Sequence, residues 1–384
     1  MKVAVLVNEL NIRGGTHKQV LRLCEYLESQ NIEFELLTKY YDKEKTYPGI
    51  QKFHPKSLYH SEEEFYKKRS LTDRIKGVFR LFDMISKDCD VVNVHDNGFL
   101  WIMWLVVLKS HQKVVWQIND LPDCFKVGVG AQKSAGRKDK LMNRIYTAIA
   151  KKAAAITVNV TKNKDRVECC MGKNAEVFYC GVDVNPALQK HSYHPEIKKQ
   201  IKLLSTGVFF GYRNYETLVR VVEYLRNKGY DITLDIIGST NQDKEYASRV
   251  IDLINEKKLE SAVKVWGQVD EETYNLLYNG ADIFAFVNID QSWGLTVFEA
   301  MSAGIPTIVS NSVGAIELLH NDEDAIIVEP KDVEEIAGKI VQLVNDKEYY
   351  TRISEKAYEA VKHYSWDELY SSKMVSLFER VIKK

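Results

Sequence analysis

The chain has 384 residues, of which 45% are hydrophobic and only 7 are proline, a composition typical of an ordered globular protein too large for one hydrophobic core. Lysine plus arginine and aspartate plus glutamate number 53 each, so no overall field favours a nucleic acid or a strongly acidic partner. We therefore predict two domains, no nucleic-acid partner and electrostatic effects that are local.

The first half of the chain alternates apolar runs with stretches of helical spacing. VAVLV at 3–7 is followed by a polar loop, NELNIRGG, and an amphipathic stretch, THKQVLRLCEYLES, before the second apolar run, FELLT. The later apolar runs of this half are DVVNVH at 90–95, KVVWQI at 113–118, AAITVN at 154–159 and EVFYCGVDVN at 176–185. This alternation predicts an α/β domain over residues 1–185, with a parallel sheet covered by helices on both faces.

The same alternation restarts after a charged, proline-containing stretch, 186–199, which we interpret as an interdomain linker. The apolar runs of the second half are KLLSTG at 202–207, TLDIIG at 233–238, AVKVWG at 262–267, DIFAFV at 282–287, PTIVS at 306–310 and AIIVEP at 325–330. They predict a second doubly wound domain over residues 200–365. Ligands of such sheets bind at the carboxyl ends of the strands, so we expect a site in a cleft between two facing domains. Residues 366–384 predict a final helix that packs across the domain pair.

Cysteine usage and hydropathy bear on the setting of the protein. The six cysteines form neither a C-x-x-C pair nor a regular framework, and a strand rather than a signal peptide follows the first two residues, so we expect a reduced, cytoplasmic compartment. The most apolar run, FLWIMWLVVL at 99–108, is far shorter than the roughly 20 residues that span a bilayer and is interpreted as a buried helix. The nine histidines show no H-E-x-x-H pattern, so we predict no protein-held metal.

Glycines stand where two helices are predicted to begin. QSWGLTVFEAMSAG at 291–304 follows the run FAFV directly, as a crossover helix follows a parallel strand, and this helix is expected to begin near Leu295. Gly294 stands at its start, and Gly14 and Gly15 follow the first predicted strand. Both positions would let backbone N–H groups approach an anion at a helix N-terminus, although an ordinary turn explains each glycine as well. The first loop lacks G-x-G-x-x-G, which argues against a standard dinucleotide fold.

Taken together, these stretches resemble the family-4 retaining glycosyltransferases of GT-B fold over nearly the whole chain. RGGTHKQVLRL is similar to the N-terminal Gly-Gly loop and first helix of that family, FYCGVDVN to its hinge, and ADIFAFVNIDQSWGLTVFEAMSAGIPTIVS to its donor-site block. The resemblance implies a GT-B fold in which the first domain takes a hydroxyl acceptor and the second a nucleoside-diphosphate sugar. It implies transfer with retention and no cofactor beyond the nucleotide sugar.

The donor-site residues follow from the same resemblance. Glu299 matches the family carboxylate that holds the ribose hydroxyls, and Arg213 falls where the family places a basic residue on the diphosphate. A bond between an anomeric carbon and a diphosphate breaks with charge growing on the leaving group, which a guanidinium, a helix dipole and backbone N–H groups would stabilise. The donor-binding residues implied are Gly14, Gly15, Arg213, Gly238, Gly294, Leu295, Thr296 and Glu299.

Three positions depart from the family pattern. Gln291 stands eight residues before Glu299, where the family has a first glutamate. Val208 occupies a position that is often arginine, and Asn119 one where many members carry a histidine. Arg13 is a speculative substitute for the missing arginine. The predicted catalytic set is Arg213, Glu299, Gln291 and Asn119, with His95 and Asp120 on the acceptor side.

Two rival functions stay open beside the glycosyltransferase. The three departures favour a non-catalytic GT-B-like subunit that binds a glycan or a nucleotide and assists a partner. A GT-B sugar-nucleotide epimerase would need acid–base carboxylate and histidine groups that the sequence does not place. Because a neutral amide both donates to and accepts from sugar hydroxyls, Gln291 remains compatible with an active enzyme.

Two basic stretches lie in the half that would bind the acceptor. Residues 126–152 hold eight Lys or Arg against one acid, Asp139, and residues 66–82 alternate bases with apolar residues at helical spacing. One interpretation is a pair of ordinary amphipathic helices with solvated outer faces. The other is peripheral, salt-sensitive association with an anionic membrane surface carrying a lipid-linked acceptor.

Overall fold

The computed structural model describes residues 1–95, 97–122, 125 and 136–383. The chain divides into two units, the first made of Met1–Gly181 and Trp366–Lys384 and the second of Val182–Ser365. Each unit is built on a parallel sheet with helices packed against it, which confirms the predicted class of two doubly wound α/β domains.

The sheet of the first unit has seven strands. These are β1 (Lys2–Leu10), β2 (Glu33–Tyr41), β3 (Lys56–Tyr59), β4 (Val91–His95), β5 (Lys113–Ile118), β6 (Ala155–Val158) and β7 (Glu176–Val177). Their order is β3-β2-β1-β4-β5-β6-β7, and all neighbours pair in parallel. The predicted strands are present, but the last covers only two residues of the expected 176–185, and β3 was not predicted because four half-exposed residues show no clear apolar period.

Helices of the first unit pack against this sheet. Before residue 182 they are α1 (Gly15–Ser29), α2 (Glu62–Tyr66), α3 (Leu71–Met84), α4 (Leu100–Lys109), α5 (Arg137–Lys152) and α6 (Thr161–Met171). The apolar run 99–108 does form a helix, α4, but the expectation that it is buried holds for one side only. Ile102 and Met103 are buried, whereas Trp101 and Leu108 are each 50% exposed, because α4 packs on β5 and beside α3 and α5 and leaves its outer side in solvent.

The second unit has a sheet of six strands. These are β8 (Ile201–Thr206), β9 (Ile232–Ile237), β10 (Val263–Gly267), β11 (Ile283–Phe286), β12 (Thr307–Ser310) and β13 (Ile326–Val328), and the order is β10-β9-β8-β11-β12-β13. Its helices are α7 (Tyr215–Asn227), α8 (Lys244–Glu256), α9 (Glu271–Gly280), α10 (Leu295–Ser302), α11 (Val333–Asn345) and α12 (Lys347–Val361). Strand interiors and one side of α7, α8 and α11 form a continuous buried core.

The stretch predicted as a linker, 186–199, is anchored within the second unit. The N–H of His191 donates to the carbonyl of Ala303 at 2.8 Å, and the Tyr193 hydroxyl donates to the carbonyl of Val344 at 3.2 Å. Ile197, in the 3₁₀ turn Pro195–Lys198, is buried in the core. The charged composition of the stretch hid these anchors, since two of them are backbone or hydroxyl hydrogen bonds that composition does not report.

The segment after Ser365 belongs to the first unit. A π-helical turn, Asp367–Ser371, leads into α13 (Ser372–Ile382). The guanidinium of Arg380 forms two hydrogen bonds of 2.7 Å with the carboxylate of Glu176. Gly181 packs on the backbone of Trp366, and a Cβ on Gly181 would stand 2.2 Å from the Cα of Trp366. Only glycine therefore allows these two segments of the chain to pack together. The final helix therefore completes the first unit.

Gly238 follows β9 directly, and a substitution there tests how closely the backbone packs at the carboxyl ends of β8 and β9. Its φ is +154°, and a Cβ would lie 1.9 Å from the carbonyl oxygen of Gly207, which follows β8. We expect Gly238→Ala to lower the free energy of unfolding by about 2 kcal/mol or more, because backbone must shift to admit a methyl group. Gly338→Ala in α11, where nothing lies within 4 Å, is the control and should stabilise by up to about 1 kcal/mol. Equal unfolding midpoints in urea for the two variants would contradict this account.

Candidate functional site

The second unit has a switch in strand order between β8 and β11. These strands are neighbours, and the chain extends the sheet outward from them in opposite directions. In open α/β sheets, ligands bind where the carboxyl ends of such strands separate. The loops that follow the two strands are joined, since the N–H of Ile289 donates to the carbonyl of Tyr212 at 2.7 Å. Arg213, predicted for the donor and for catalysis, and Gln291, predicted for catalysis, lie on these two loops.

The guanidinium of Arg213 lies over Gly207. A Cβ on this glycine would stand 2.4 Å from the Cζ of Arg213, so only glycine leaves room for the side chain. Nε donates to the carbonyl of Val208 at 3.1 Å, and Nη1 donates to Oε1 of Gln291 at 3.2 Å. In the described part of the chain, no carboxylate forms an ion pair with Arg213. The site therefore holds a half-buried cation whose charge is available to an anion.

Asn288, at the end of the strand region of β11, was missed by sequence reasoning. It is 1% exposed, and its side-chain amide lies 3.0 Å from Nη1 of Arg213 and 3.1 Å from the carbonyl oxygen of Arg213. Its side chain also contacts that of Gln291. The hydroxyl of Ser310 donates to its carbonyl at 2.7 Å. These bonds fix the arginine from both ends, and only the three-dimensional contact reveals them.

Helix α10 begins at Leu295, as predicted, with Gly294 as its N-cap. A Cβ on Gly294 would stand 3.0 Å from Cε1 of Phe286, a ring whose centre is 5.8 Å from Cζ of Arg213. The cation and the helix start therefore adjoin the same aromatic ring. No side chain caps this N-terminus, its first turn has no acid, and Oγ1 of Thr296 is buried without a hydrogen-bond partner among the described residues. Such a helix start favours an anion.

Glu299 lies one turn inside α10 and is oriented by a residue the sequence did not point to. The hydroxyl of Tyr274 donates to Oε2 of Glu299 at 2.8 Å. Burial raises the pKa of Tyr274 well above its usual range, so the hydroxyl stays protonated and keeps donating. The ring of Tyr274 lies 4.5 Å from that of Tyr278 on the same side of α9. The four-residue spacing of these tyrosines in the sequence was the available signal.

The glycine loop of the first unit lies against His17, which belongs to a buried polar region with His95. Gly14 caps α1, and a Cβ there would stand 3.1 Å from Nδ1 of His17. Nε2 of His17 lies 2.9 Å from the carbonyl of Glu9, and Nε2 of His95 lies 2.9 Å from Oδ1 of Asn93. Burial, with a smaller effect of nearby His17, lowers the pKa of His95 to about 3. His95 is therefore neutral, as a strand-end histidine in a buried polar network must be.

Asn119 connects β5 to the start of α1. Its Nδ2 donates to Oγ1 of Thr16 at 3.0 Å and to Oε1 of Gln19 at 2.9 Å, and its Oδ1 accepts from Gln117 at 3.1 Å. The amide thus holds the strand end beside the Gly14–Gly15 loop. Asp120, the next residue, is exposed, and its carbonyl accepts from Asn97 at 2.9 Å. The side chain of Asn119 is engaged in positioning its neighbours, which a histidine there would not do in the same way.

The remaining sequence predictions can be placed as well. Gly238 contacts the Gly207 turn beneath Arg213, as described above. Arg13, the speculative second clamp, instead donates from Nε to the carbonyl of Thr46 at 3.2 Å. Among the described residues, no three His, Cys, Asp or Glu side chains are grouped as ligands of a metal ion. The functional roles given to all these residues stay predictions.

Family comparison covers most of the chain. Residues 189–360 match the family described as "Glycosyl transferases group 1", and residues 13–186 match "Glycosyltransferase Family 4". The chain belongs to the family-4 glycosyltransferases. The recognition made from the glycine loop, the hinge and the donor block is confirmed.

Individual relatives in this glycosyltransferase family are distant. An uncharacterised glycosyltransferase of Haemophilus influenzae is 26% identical over 156 residues, covering 40% of this chain and 42% of that protein. A sucrose synthase of Melioribacter roseus is 30% identical over 146 residues, 35% of this chain and 18% of that one. The capsular polysaccharide biosynthesis glycosyltransferase CapM of Staphylococcus aureus is 24% identical over 194 residues, which cover 49% of this chain and 50% of CapM. The chain thus spans half or less of the length of each of these relatives.

Solved structures match along the full length. Sucrose-phosphate synthase from Thermosynechococcus elongatus superposes with a TM-score of 0.80 at 17% identity, covering 100% of this chain and 99% of that one. The Anabaena protein HepE, solved in complex with UDP and glucose, gives 0.77 at 14% identity, covering 99% and 100%. These likenesses show the fold, and the predicted GT-B fold is confirmed.

Buried neutral His95 predicts a specific acid sensitivity. Because its pKa in the folded protein is about 3, below the unfolded value of about 6.5, the unfolded chain takes up a proton that the folded chain refuses as the pH falls. The free energy of unfolding is unaffected above pH ~7 and falls by about 1.4 kcal/mol per pH unit between roughly pH 6 and pH 3. We expect His95→Gln to flatten the dependence of unfolding free energy on pH by about that slope. The exposed control His363→Gln should keep the wild-type slope, and a parallel result for both would contradict the assignment.

Proposed function

We propose that this glycosyltransferase transfers a sugar from a nucleoside-diphosphate sugar to a hydroxyl acceptor, with retention of the anomeric configuration. The observation that carries the proposal is the pairing of Arg213 with the α10 N-terminus against the ring of Phe286. A cation without a carboxylate partner in the described chain and an uncapped helix start together suit a diphosphate leaving group. The donor therefore belongs in the second unit.

The side chains around Arg213 and the start of α10 are proposed to have separate roles in the transfer. Arg213 and the first turn of α10 stabilise the charge that develops on the leaving diphosphate. Glu299, held by Tyr274, accepts from the ribose hydroxyls. Gln291 orients the transferred sugar through its amide, and the acceptor hydroxyl attacks from the face that the diphosphate leaves. The HepE complexes with UDP and with UDP-glucose support a nucleotide-sugar donor and make uridine nucleotides the first to test.

The acceptor is assigned to the first unit, as a hydroxyl of a glycan, a lipid-linked sugar or another carrier. The exposed backbone at Gly15 and the side chain of Asp120 adjoin the end of β5 through Asn119 and lie where such an acceptor would meet polar groups. The protein is proposed to act in the cytoplasm.

A non-catalytic subunit remains the second candidate. The observation that favours it is that the side-chain amides of Asn119 and Gln291 are both engaged in hydrogen bonds within the protein. Tight nucleotide binding with neither hydrolysis nor transfer across a broad panel of donors and acceptors would support this candidate over the enzyme.

Removing the ribose carboxylate is expected to weaken nucleotide binding without unfolding the protein. Glu299→Ala should lose about 1 to 3 kcal/mol of binding free energy to nucleoside diphosphates, and Tyr274→Phe about 1 kcal/mol, since the carboxylate then loses its fixed orientation. Thermal shift with a panel of nucleoside diphosphates measures this, because ligand at 100 times its Kd adds about 2.7 kcal/mol to wild-type stability. Glu355→Ala, an exposed carboxylate on α12, is the control. Wild-type affinity in Glu299→Ala would remove the residue from the site.

The cation over Gly207 is expected to act mainly in the transition state. Arg213→Lys should lower kcat/KM by about 10² to 10³, the scale seen when one donor to a developing charge is removed. The loss should fall mainly on kcat, because the charge on the diphosphate grows as the bond breaks. Arg249→Lys on α8 should behave as wild type. Unchanged kinetics in Arg213→Lys, with the fold intact by circular dichroism, would show that another group carries the leaving diphosphate.

A further inference from the structure

Helix α3 presents a stripe of apolar side chains to solvent. Leu71, Ile75 and Phe79, four residues apart and so on one side of the helix, are 74%, 50% and 44% exposed. Of its 14 residues only Leu81 is buried. A Cβ on Gly77 would stand 3.2 Å from the Tyr59 hydroxyl, so a different side of the helix packs closely on β3. Val78, Leu81 and Phe82 of α3 pack on the core of the first unit, so the exposed stripe is a second apolar surface, which an amphipathic helix of a globular protein ordinarily lacks.

Neighbouring helices continue the same surface. α3 packs beside α4 and α4 beside α5, and Nζ of Lys109 at the end of α4 lies 5.4 Å from the centre of the Phe79 ring. We define the outer face as the exposed apolar side chains of α3, α4 and α5 together with Tyr66 at the end of α2. The others are Leu71, Ile75, Phe79, Trp101, Leu108 and Leu141. The outer face holds seven of the thirteen exposed large apolar side chains in the described chain, so these are concentrated rather than scattered.

Ten cations of α3, α4, the first half of α5 and the segment that leads into α3 form no ion pair with a carboxylate among the described residues. They are Lys67, Lys68, Arg74, Lys76, Arg80, Lys109, Arg137, Lys138, Lys140 and Arg144. Of the nearby acids, Asp73 accepts from Ser70 and Asp139 from the N–H of Gly136, each as a helix cap, and Glu62 pairs with Lys45. Glu64 accepts from the N–H of His60, and Glu63 and Asp83 are exposed, so six acids accompany the ten cations. Lys126 and Lys133, predicted to join the basic stretch, lie outside the described residues. The surface thus combines protruding apolar side chains with available positive charge.

We propose that the outer face docks on an anionic lipid bilayer. Its apolar side chains project singly between cations, which suits insertion among headgroups, and Tyr66 and Trp101 are of the type that settles at a membrane interface. Anionic headgroups supply the charge that the unpaired cations lack. No helix in the described part of the chain is long and apolar enough to cross a membrane, so the contact is peripheral. The proposal rests on the proposed function in one respect, since it brings the enzyme to a lipid-linked acceptor.

Vesicle co-sedimentation tests the docking directly. The full chain is mixed with vesicles of equal parts phosphatidylglycerol and phosphatidylcholine, or of phosphatidylcholine alone, at low and at high salt. We expect binding to the anionic vesicles at low salt, at least tenfold weaker binding at high salt because exposed charges are screened, and no measurable binding to phosphatidylcholine alone. No preference for anionic vesicles at low salt would overturn the proposal.

Two triple variants separate the contribution of the cations to vesicle binding from that of the apolar side chains. Arg74→Gln with Lys76→Gln and Arg80→Gln should weaken binding to anionic vesicles about 100-fold, equal to about 2.8 kcal/mol at 1.4 kcal/mol per factor of ten, or roughly 1 kcal/mol per cation. Leu71→Ser with Ile75→Ser and Phe79→Ser should weaken it at least tenfold. The matched controls on the second unit are Lys228→Gln with Lys244→Gln and Lys356→Gln, and Ile251→Ser with Leu276→Ser, both expected to bind as wild type.

Circular dichroism and nucleotide binding distinguish failure of the docking proposal from failure of the proposed function. Both outer-face variants should retain wild-type circular dichroism and wild-type thermal shifts with nucleoside diphosphates, because the altered residues lie outside the donor unit. Vesicle binding that survives both triple variants would overturn the assignment to this surface. So would concentration-dependent self-association of the wild type, lost in the Leu71, Ile75 and Phe79 variant and unaccompanied by lipid binding, since a second copy would then be the occupant.

Discussion

The contact between the Gly207 and Gly238 turns is the constraint on which the candidate donor site depends. The carbonyl oxygen of Gly207 occupies the place that a side chain at Gly238 would need, and the guanidinium of Arg213 occupies the place that a side chain at Gly207 would need. The two glycines follow adjacent strands, and three groups therefore lie in contact in order: the backbone of Gly238, the backbone of Gly207 and the guanidinium of Arg213. Their tight packing positions the arginine before any ligand arrives, so binding does not have to order it.

The second determinant is the neutrality of the arginine's neighbours. The side chains against the guanidinium, Asn288 and Gln291, are amides rather than carboxylates, so the positive charge is oriented without being cancelled. A glutamate in place of Gln291 would neutralise part of that charge. The departure from the family pattern is therefore compatible with the proposed activity, because an amide at Gln291 leaves the charge of Arg213 uncancelled.

The sequence revealed much of the fold because strand and helix periods are local properties. The start of α10 at Leu295 and the parallel order of both sheets followed from such patterns. The anchoring of residues 186–199 did not, because it depends on backbone contacts made across the fold. Tyr274 and Asn288 were missed for a similar reason: one touches Glu299 across 25 residues and the other holds Arg213 from a different loop. Family resemblance supplied the residues that are proposed to meet the ligand, whereas contacts in the structure revealed the residues that position them.

The return of the chain to the first unit after Ser365 has a consequence for synthesis. The second unit is continuous, from Val182 to Ser365, and can fold as soon as that stretch has left the ribosome. The first unit starts earlier but lacks α13 until the whole of the second has been made. Until then, apolar side chains of α1 that α13 and the preceding π turn cover stay open to water. The unit that begins first is therefore finished last, and the side of α1 that α13 covers is exposed to water until synthesis ends.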